Sequence, residues 1–167
     1  SSTTFISLEK ISEASYANFI RHHFNLDGRT IDDESIQFIL DWTRRHTYYT
    51  QQLCHTIFAN SDKNVTLDVV RAACGQLMKQ GEAVYLQYRQ MLTDKQWNYL
   101  IAVAKEGCVK QITASAFLKH HKIGTPSVSR RLAEALVEKG LLNDDVRIDG
   151  TTYTVSDVFF SHWLERL

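Results

Sequence analysis

Two groups of basic residues in this 167-residue sequence have the chemistry to bind an anion. Arg44, Arg45 and His46 precede a predicted helix that begins near Thr47. Unpaired N–H groups at the start of a helix, together with nearby cations, favour a phosphate. Alternatively, the two arginines only complement the C-terminal end of the preceding helix. On these residues alone the second interpretation is favoured, and His46 is the best single candidate for the first.

The second basic group lies in a predicted helix-turn-helix, whose third helix begins at Pro126. In such a motif the start of this helix faces the major groove of DNA. From Thr93 onward, however, the sequence holds ten Lys and Arg against nine Asp and Glu, and Glu134 is placed to pair with Arg130 one turn away. Protein docking is therefore at least as well supported as sequence-specific DNA binding. The candidate residues are Lys119, Lys122, Ser127, Arg130 and Arg131.

Histidines and cysteines show no spacing typical of a metal site. His22-His23 and His120-His121 are adjacent pairs, and neighbouring residues on a helix point about 100° apart. No HxxxH or CxxC motif is present, so the sequence predicts no metal site. The three cysteines are an odd number within apolar helical patterns, which favours a reducing cytoplasm over disulfides.

Features that catalysis would need are missing from the sequence. No GxxxxGK[ST] motif offers a loop that could hold phosphates, and no apolar strand ends in paired acids that could hold Mg²⁺. We therefore expect this chain to be no enzyme and to bind no cofactor alone. The 19 basic and 19 acidic residues give a net charge of +0, so any nucleic-acid partner would need a local patch. The sequence contains no long apolar run, so it predicts no membrane partner.

The first part of the chain, residues 1–65, has the apolar spacing of a small helical bundle. The periodicity begins at Ile11 and predicts helices over 12–24, 33–43 and 47–59. Ser12 is the predicted N-cap of the first helix, and Asp32 or Asp33 opens the second. Residues 66–92 then read as a connector helix that contains Gly75 and Gly81, and the pattern leaves open a break near Gly81.

Residues 93–167 have the order of elements that is typical of a winged helix domain. A first helix ending at Gly107, a short helix over 113–121 and a helix over 126–139 follow one another. Asp149-Gly150 predicts a hairpin turn between two strands, which would form the wing. The apolar stripe of the last residues must then dock on the winged helix or on the N-terminal bundle. The fold class is thus mainly α, a helical bundle followed by a winged helix with a small β-hairpin.

Several motifs together resemble one family. A basic turn precedes a helix beginning Tyr-Tyr-x-Gln-x-Leu, a linker helix follows, and the winged helix ends in Val-Ser-Asp-Val-Phe-Phe-Ser-His-Trp-Leu at residues 155–164. This order resembles the C-terminal half of the archaeal-type P-loop ATPases, a group at the border of the AAA+ and STAND NTPases. In that family a nucleotide-binding α/β domain precedes a helical lid and a winged helix. The family's lid motif, Gly-Gly-(Asn or His)-Pro-aromatic, aligns with residues 44–48, where Arg44, Arg45 and Thr47 replace the glycines and the proline.

The resemblance implies that this chain is the regulatory end of a larger ATPase. The lid would sense a nucleotide through the turn that contains His46, while ATP and Mg²⁺ would be bound by an upstream domain that the sequence lacks. The absence of an initial methionine agrees with a fragment of a longer protein. The alternative is a stand-alone winged-helix transcription regulator whose N-terminal helices dimerise or bind an effector.

Overall fold

A computed structural model describes residues 12–167, and the chain divides into two compact units between Cys74 and Gly75. The predicted apolar position at Ile11 lies outside the described residues. The architecture is mainly helical with a winged helix domain and a small antiparallel hairpin, as predicted. No helix of the described part is long and apolar enough to cross a membrane.

The first unit contains three short helices and the beginning of a long one. They are α1 (Glu13–Leu26), α2 (Asp33–Trp42), α3 (Thr47–Asn60) and α4 (Leu67–Met91). The predicted caps are confirmed, because Ser12 accepts a hydrogen bond from the backbone N–H of Ser15 and Asp32 accepts one from that of Ser35. The core is formed by side chains from one face of each short helix, namely Tyr16, Ile20, Phe24, Ile36, Ile39, Leu40, Leu53 and Ile57.

A small parallel β-pair joins the two interhelical segments of this unit. Strand β1 (Thr30–Ile31) lies beside β2 (Asn64–Val65), in the register Thr30 to Asn64 and Ile31 to Val65. Ile31 and Val65 are buried, and the Thr30 hydroxyl contacts the Asn64 side chain at 2.7 Å. These strands were not predicted, because two residues are too few to show a period.

The second unit contains the winged helix. It comprises the rest of α4, then α5 (Asp94–Glu106), α6 (Ser115–His120), α7 (Pro126–Glu138), strands β3 (Leu142–Arg147) and β4 (Gly150–Val155), and α8 (Val158–Leu164). A capping box of Thr93 and Gln96 opens α5, and Thr125 caps α7 with Pro126 at its first position. The predicted start of α6 at Thr113 is wrong, since Ala114 is its N-cap.

The tip of the wing differs from its predicted geometry. Ile148 and Asp149 form the two-residue turn, while Gly150 with φ 129° is the first residue of β4 and pairs with Arg147. The Asp149-Gly150 turn was therefore predicted one residue too late. Val146 and Ile148 are 74% and 110% exposed, so the alternation that predicted β3 does not bury an apolar face at the tip.

The last helix packs inside the winged-helix unit. Helix α8 lies against α5 and β4, and Phe160 is completely buried. The Phe160 ring centroid lies 4.8 Å from that of Tyr85 and 6.1 Å from that of Trp97. Of the two docking places considered from the sequence, the described contacts of α8 are those with the winged helix.

Gly81 does not break α4. The helix continues through Gly75 and Gly81 to Met91. A Cβ at Gly81 would lie 2.3 Å from the ring of Tyr85, whose side chain is buried. The glycine therefore provides space for an aromatic ring one turn further along the same helix.

Candidate functional site

The turn between α2 and α3 has a well-defined backbone geometry. The N–H of Arg44 donates to the carbonyl of Asp41 at 3.0 Å, and the N–H of Arg45 donates to that of Leu40 at 2.9 Å. These two bonds, after the C-cap Thr43, form a Schellman motif. Arg44 and Arg45 both have positive φ, 53° and 56°. Non-glycine residues rarely adopt this conformation, because the Cβ crowds the carbonyl oxygen.

Other helices of the chain end in the same way with glycine. Gly28 and Gly140 stand at the equivalent position after α1 and α7, with φ 72° and 73°. Lys122 takes the place of glycine after α6, with φ 54°. Arg44 and Lys122, both predicted binding residues, thus occupy positions where glycine would be more favourable. Strained non-glycine residues of this kind occur often at functional sites.

Replacing Arg44 with glycine is expected to stabilise the protein by about 0.5 to 1 kcal/mol, because the strain of the left-handed conformation is removed. Urea denaturation followed by circular dichroism measures the change. The reverse substitution, Gly28→Ala, is the control and should destabilise by about 1 kcal/mol. A loss of stability in Arg44→Gly would show that the arginine side chain contributes more than its backbone strain costs.

Three side chains of this turn, those of Arg45, His46 and Thr47, are exposed, while Arg44 is partly buried. Arg45 pairs with Glu13 at 3.1 Å, and both groups are about half exposed, which makes the pair a weak one. His46 is the N-cap residue of α3 but makes no side-chain capping bond, and its ring lies 4.9 Å from that of Tyr49. Tyr48 is 57% exposed. Residues 45–48 are therefore exposed in succession and include the cationic side chain of Arg45.

The predicted winged-helix residues lie on α6, on α7 and in the turn between them. Lys119, Lys122, Ser127, Arg130 and Arg131 are all exposed. Within the described part of the chain, no ion pair joins Arg130 to Glu134, contrary to the prediction. Arg130 and Glu134 instead line a surface depression together with Tyr153.

Carboxylates lie near the surface depression that Arg130 lines. Partial burial raises the pKa of Tyr153, the nearby carboxylates of Asp144 and Glu134 raise it further, and Arg130 opposes them. At the wing, Asp145 accepts a hydrogen bond from Arg147 at 2.6 Å. The positive charge that a phosphate would need is thus partly offset at Arg130, while Lys119, Lys122 and Arg131 have no recorded ion pair among the described residues.

A buried polar network, which the sequence analysis missed, positions the start of α7. The hydroxyl of Ser129 donates to the carbonyl of Ile112 at 2.6 Å and lies 2.9 Å from the hydroxyl of Tyr99. Both side chains are buried, and burial raises the pKa of Tyr99 to about 12. One signal in the sequence could have indicated this network: Ser129 stands at a position of α7 that the apolar spacing places towards the core.

The cysteines show no catalytic environment. Burial raises the pKa of the Cys54 thiol to about 12, so the reactive thiolate is strongly disfavoured. Cys74 is buried and Cys108 is exposed.

Comparison with known proteins identifies the second unit. Residues 83–166 match the family model described as a probable winged helix domain. A search of curated proteins found no match. The family match covers α5 to α8 and the last residues of α4, but not the turn at residues 44–48. Winged helix domains contact DNA or proteins, so one of these is the expected class of partner. Because the match covers half of its length, the chain belongs to the family of probable winged helix domains.

Proposed function

We propose that this chain is the lid and winged-helix segment of a P-loop ATPase. In this proposal, the turn at residues 44–47 lies against a nucleotide bound by an upstream domain. The winged helix contacts DNA or a protein partner. The chain itself performs no catalysis, and ATP and Mg²⁺ belong to the longer protein.

The backbone of residues 44–47 is the observation that carries the proposal. The family's lid motif has glycines at the two positions where this chain has Arg44 and Arg45, and both residues adopt the positive φ that glycine favours. The motif's proline aligns with Thr47, which is the first residue of α3, the position where proline is most readily accepted in a helix. The sequence therefore departs from the motif while the backbone fits it.

The exposed side chains at this turn supply suitable chemistry. His46 is exposed at the start of α3, where the helix dipole favours a negative charge. The guanidinium of Arg45 is half exposed and makes a weak ion pair with Glu13. An Arg guanidinium offers several N–H donors that match phosphate oxygens. A phosphate from a neighbouring domain would thus meet two side chains and the positive end of a helix.

The alternative function is that of a stand-alone DNA-binding regulator. Exposed cations at Lys119, Lys122 and Arg131 favour it. The carboxylates of Glu134 on α7 and Asp144 on β3, which both act on Tyr153 beside Arg130, disfavour it, since they repel the phosphate backbone. In a stand-alone DNA-binding regulator, the backbone geometry of the turn at residues 44–47 would also have no role.

Substituting His46 with alanine in the full-length gene product is expected to weaken ATP binding by about three- to tenfold, because one hydrogen bond to the nucleotide is lost. Isothermal titration calorimetry with ATP and Mg²⁺ measures the affinity. His22→Ala, a change of an exposed histidine on α1, is the control and should leave affinity unchanged. Equal affinity and equal turnover in wild type and His46→Ala would refute the sensor role. Salt-dependent retention of the chain on DNA would instead support the regulator.

A further inference from the structure

Three side chains with metal-binding groups meet where α5 and α6 end. Glu106 is the last residue of α5, His120 is the last residue of α6, and His121 is the C-cap residue that follows it. One ligand atom from each lies within 4.8 Å of the others. Neither helix alone could form this cluster, because Glu106 is distant from the histidine pair in sequence.

His121 is held in place by its surroundings. Its Nε2 lies 2.7 Å from Oε1 of Glu106, and its side chain is only 9% exposed. The His121 ring lies 5.0 Å from that of Phe117 and 4.6 Å from that of His120, the latter nearly perpendicular at 89°. The His121 imidazole is thus oriented by packing and by the Glu106 carboxylate, while Glu106 and His120 are themselves exposed.

The histidine pair at 120 and 121 would not form a metal site alone. Side chains about 100° apart on one helix do not converge on a common point by themselves. The third group comes from a different helix, and the fold brings Oε1 of Glu106 within 2.7 Å of Nε2 of His121. Spacing motifs such as HxxxH cannot detect a site assembled in this way.

We propose that Glu106, His120 and His121 form a binding site for a transition-metal ion of the Zn²⁺ class. Two imidazoles and one carboxylate are a ligand set that zinc uses, and imidazole selects transition metals over Mg²⁺ and Ca²⁺. Donors around a tetrahedral zinc lie about 3.4 Å apart. The ligand atoms of the three side chains lie no more than 4.8 Å apart. Small rotations of the two exposed side chains would therefore bring them to the separation that zinc requires.

Both helix ends add a favourable electrostatic contribution. The C-terminal carbonyls of a helix carry partial negative charge, and α5 has three turns to contribute to it. A bound ion would join the end of α5 to the segment that leads into α7. Three protein ligands leave a fourth coordination position for water or for a side chain of a bound partner. The site thus adds a metal-dependent connection next to the proposed partner-binding surface, independently of whether the chain belongs to an ATPase.

The test is a titration of the purified chain with Co²⁺ and Zn²⁺. The cobalt complex is expected to show the visible absorption of a tetrahedral site, which Zn²⁺ should displace. Zinc at about 100 times its dissociation constant should raise the melting temperature by about 5 to 10 °C. His120→Ala and Glu106→Gln, both changes of exposed side chains, should reduce the affinity at least about tenfold without loss of the fold.

The second histidine pair provides a matched control. His22 and His23 are exposed neighbours on α1, with ring centroids 6.1 Å apart, and the double change to alanine should leave metal binding intact. The proposal is refuted if the wild type shows no tetrahedral cobalt spectrum. It is also refuted if binding survives His120→Ala and Glu106→Gln but is lost in the His22/His23 variant. Loss of binding in Cys108→Ser alone would likewise assign the metal to the exposed thiol.

Discussion

Replacing Phe160 with alanine is expected to lower the free energy of unfolding by about 3 to 5 kcal/mol. Phe160 is completely buried, and its ring contacts the aromatic rings of Tyr85, Tyr88, Trp97 and Trp163. Truncation removes the transfer free energy of the ring and leaves a cavity among rigid aromatic neighbours that cannot collapse into it. Such a loss is a large fraction of the stability of a typical domain.

Urea denaturation followed by tryptophan fluorescence measures this effect, because Trp97 and Trp163 lie beside the new cavity. Phe160→Leu keeps most of the apolar volume and should cost clearly less than the alanine change. Phe19→Ala removes the same ring from a site on α1 that is 53% exposed, and should change stability by about 0.5 kcal/mol or less. If Phe160→Ala and Phe19→Ala cost the same, α8 does not complete the core of the winged helix.

The helices, and the helix starts that a side chain caps, were predictable because the signals that specify them are local. Ser12, Thr93 and Thr125 cap helices through hydrogen bonds to residues three positions away. The apolar spacing of α5 and α7 likewise depends only on the helical period. A sequence read residue by residue contains all of this information.

Features that depend on contacts between distant residues were missed. The β1–β2 pair joins residues more than thirty positions apart, and the Tyr99–Ser129 hydrogen bond spans a similar distance. The position of the wing turn was wrong because the register is set by pairing along β3 and β4, which the Asp149-Gly150 signal does not determine alone.

At the candidate site, too, local signals were predictable from the sequence and the arrangement of distant residues was not. Arg44, Arg45 and His46 were found because cations before a helix are visible in sequence. The left-handed backbone of Arg44 and Arg45 was not found, since arginine gives no signal for positive φ. The convergence of Glu106 with His120 and His121 likewise required the packing of α5 beside α6. Residue types were therefore predictable, and their shared geometry was not.

Gly81 provides the second test, in which two effects of known size oppose each other. An alanine in the interior of a helix is normally more stable than glycine by about 0.5 to 1 kcal/mol. At Gly81, however, the added Cβ would lie 2.3 Å from Cζ and Oη of Tyr85. Forcing a methyl group into a packed core costs about 1 to 3 kcal/mol. Gly81→Ala is therefore expected to be net destabilising.

The result depends on whether the Tyr85 ring can move away. This ring is 5% exposed, stacks on Phe160 at 4.8 Å and lies 5.4 Å from Trp163, so a new rotamer would disrupt the same aromatic cluster. Gly75→Ala is the matched control in the same helix, since no atom lies within 4 Å of its added Cβ, and it should stabilise by about 0.5 to 1 kcal/mol. In a Tyr85→Leu background, Gly81→Ala should lose most of its penalty, because the colliding atoms are gone. If Gly81→Ala stabilises the wild type as Gly75→Ala does, the ring yields at little cost, and the glycine is not required for the packing of Tyr85.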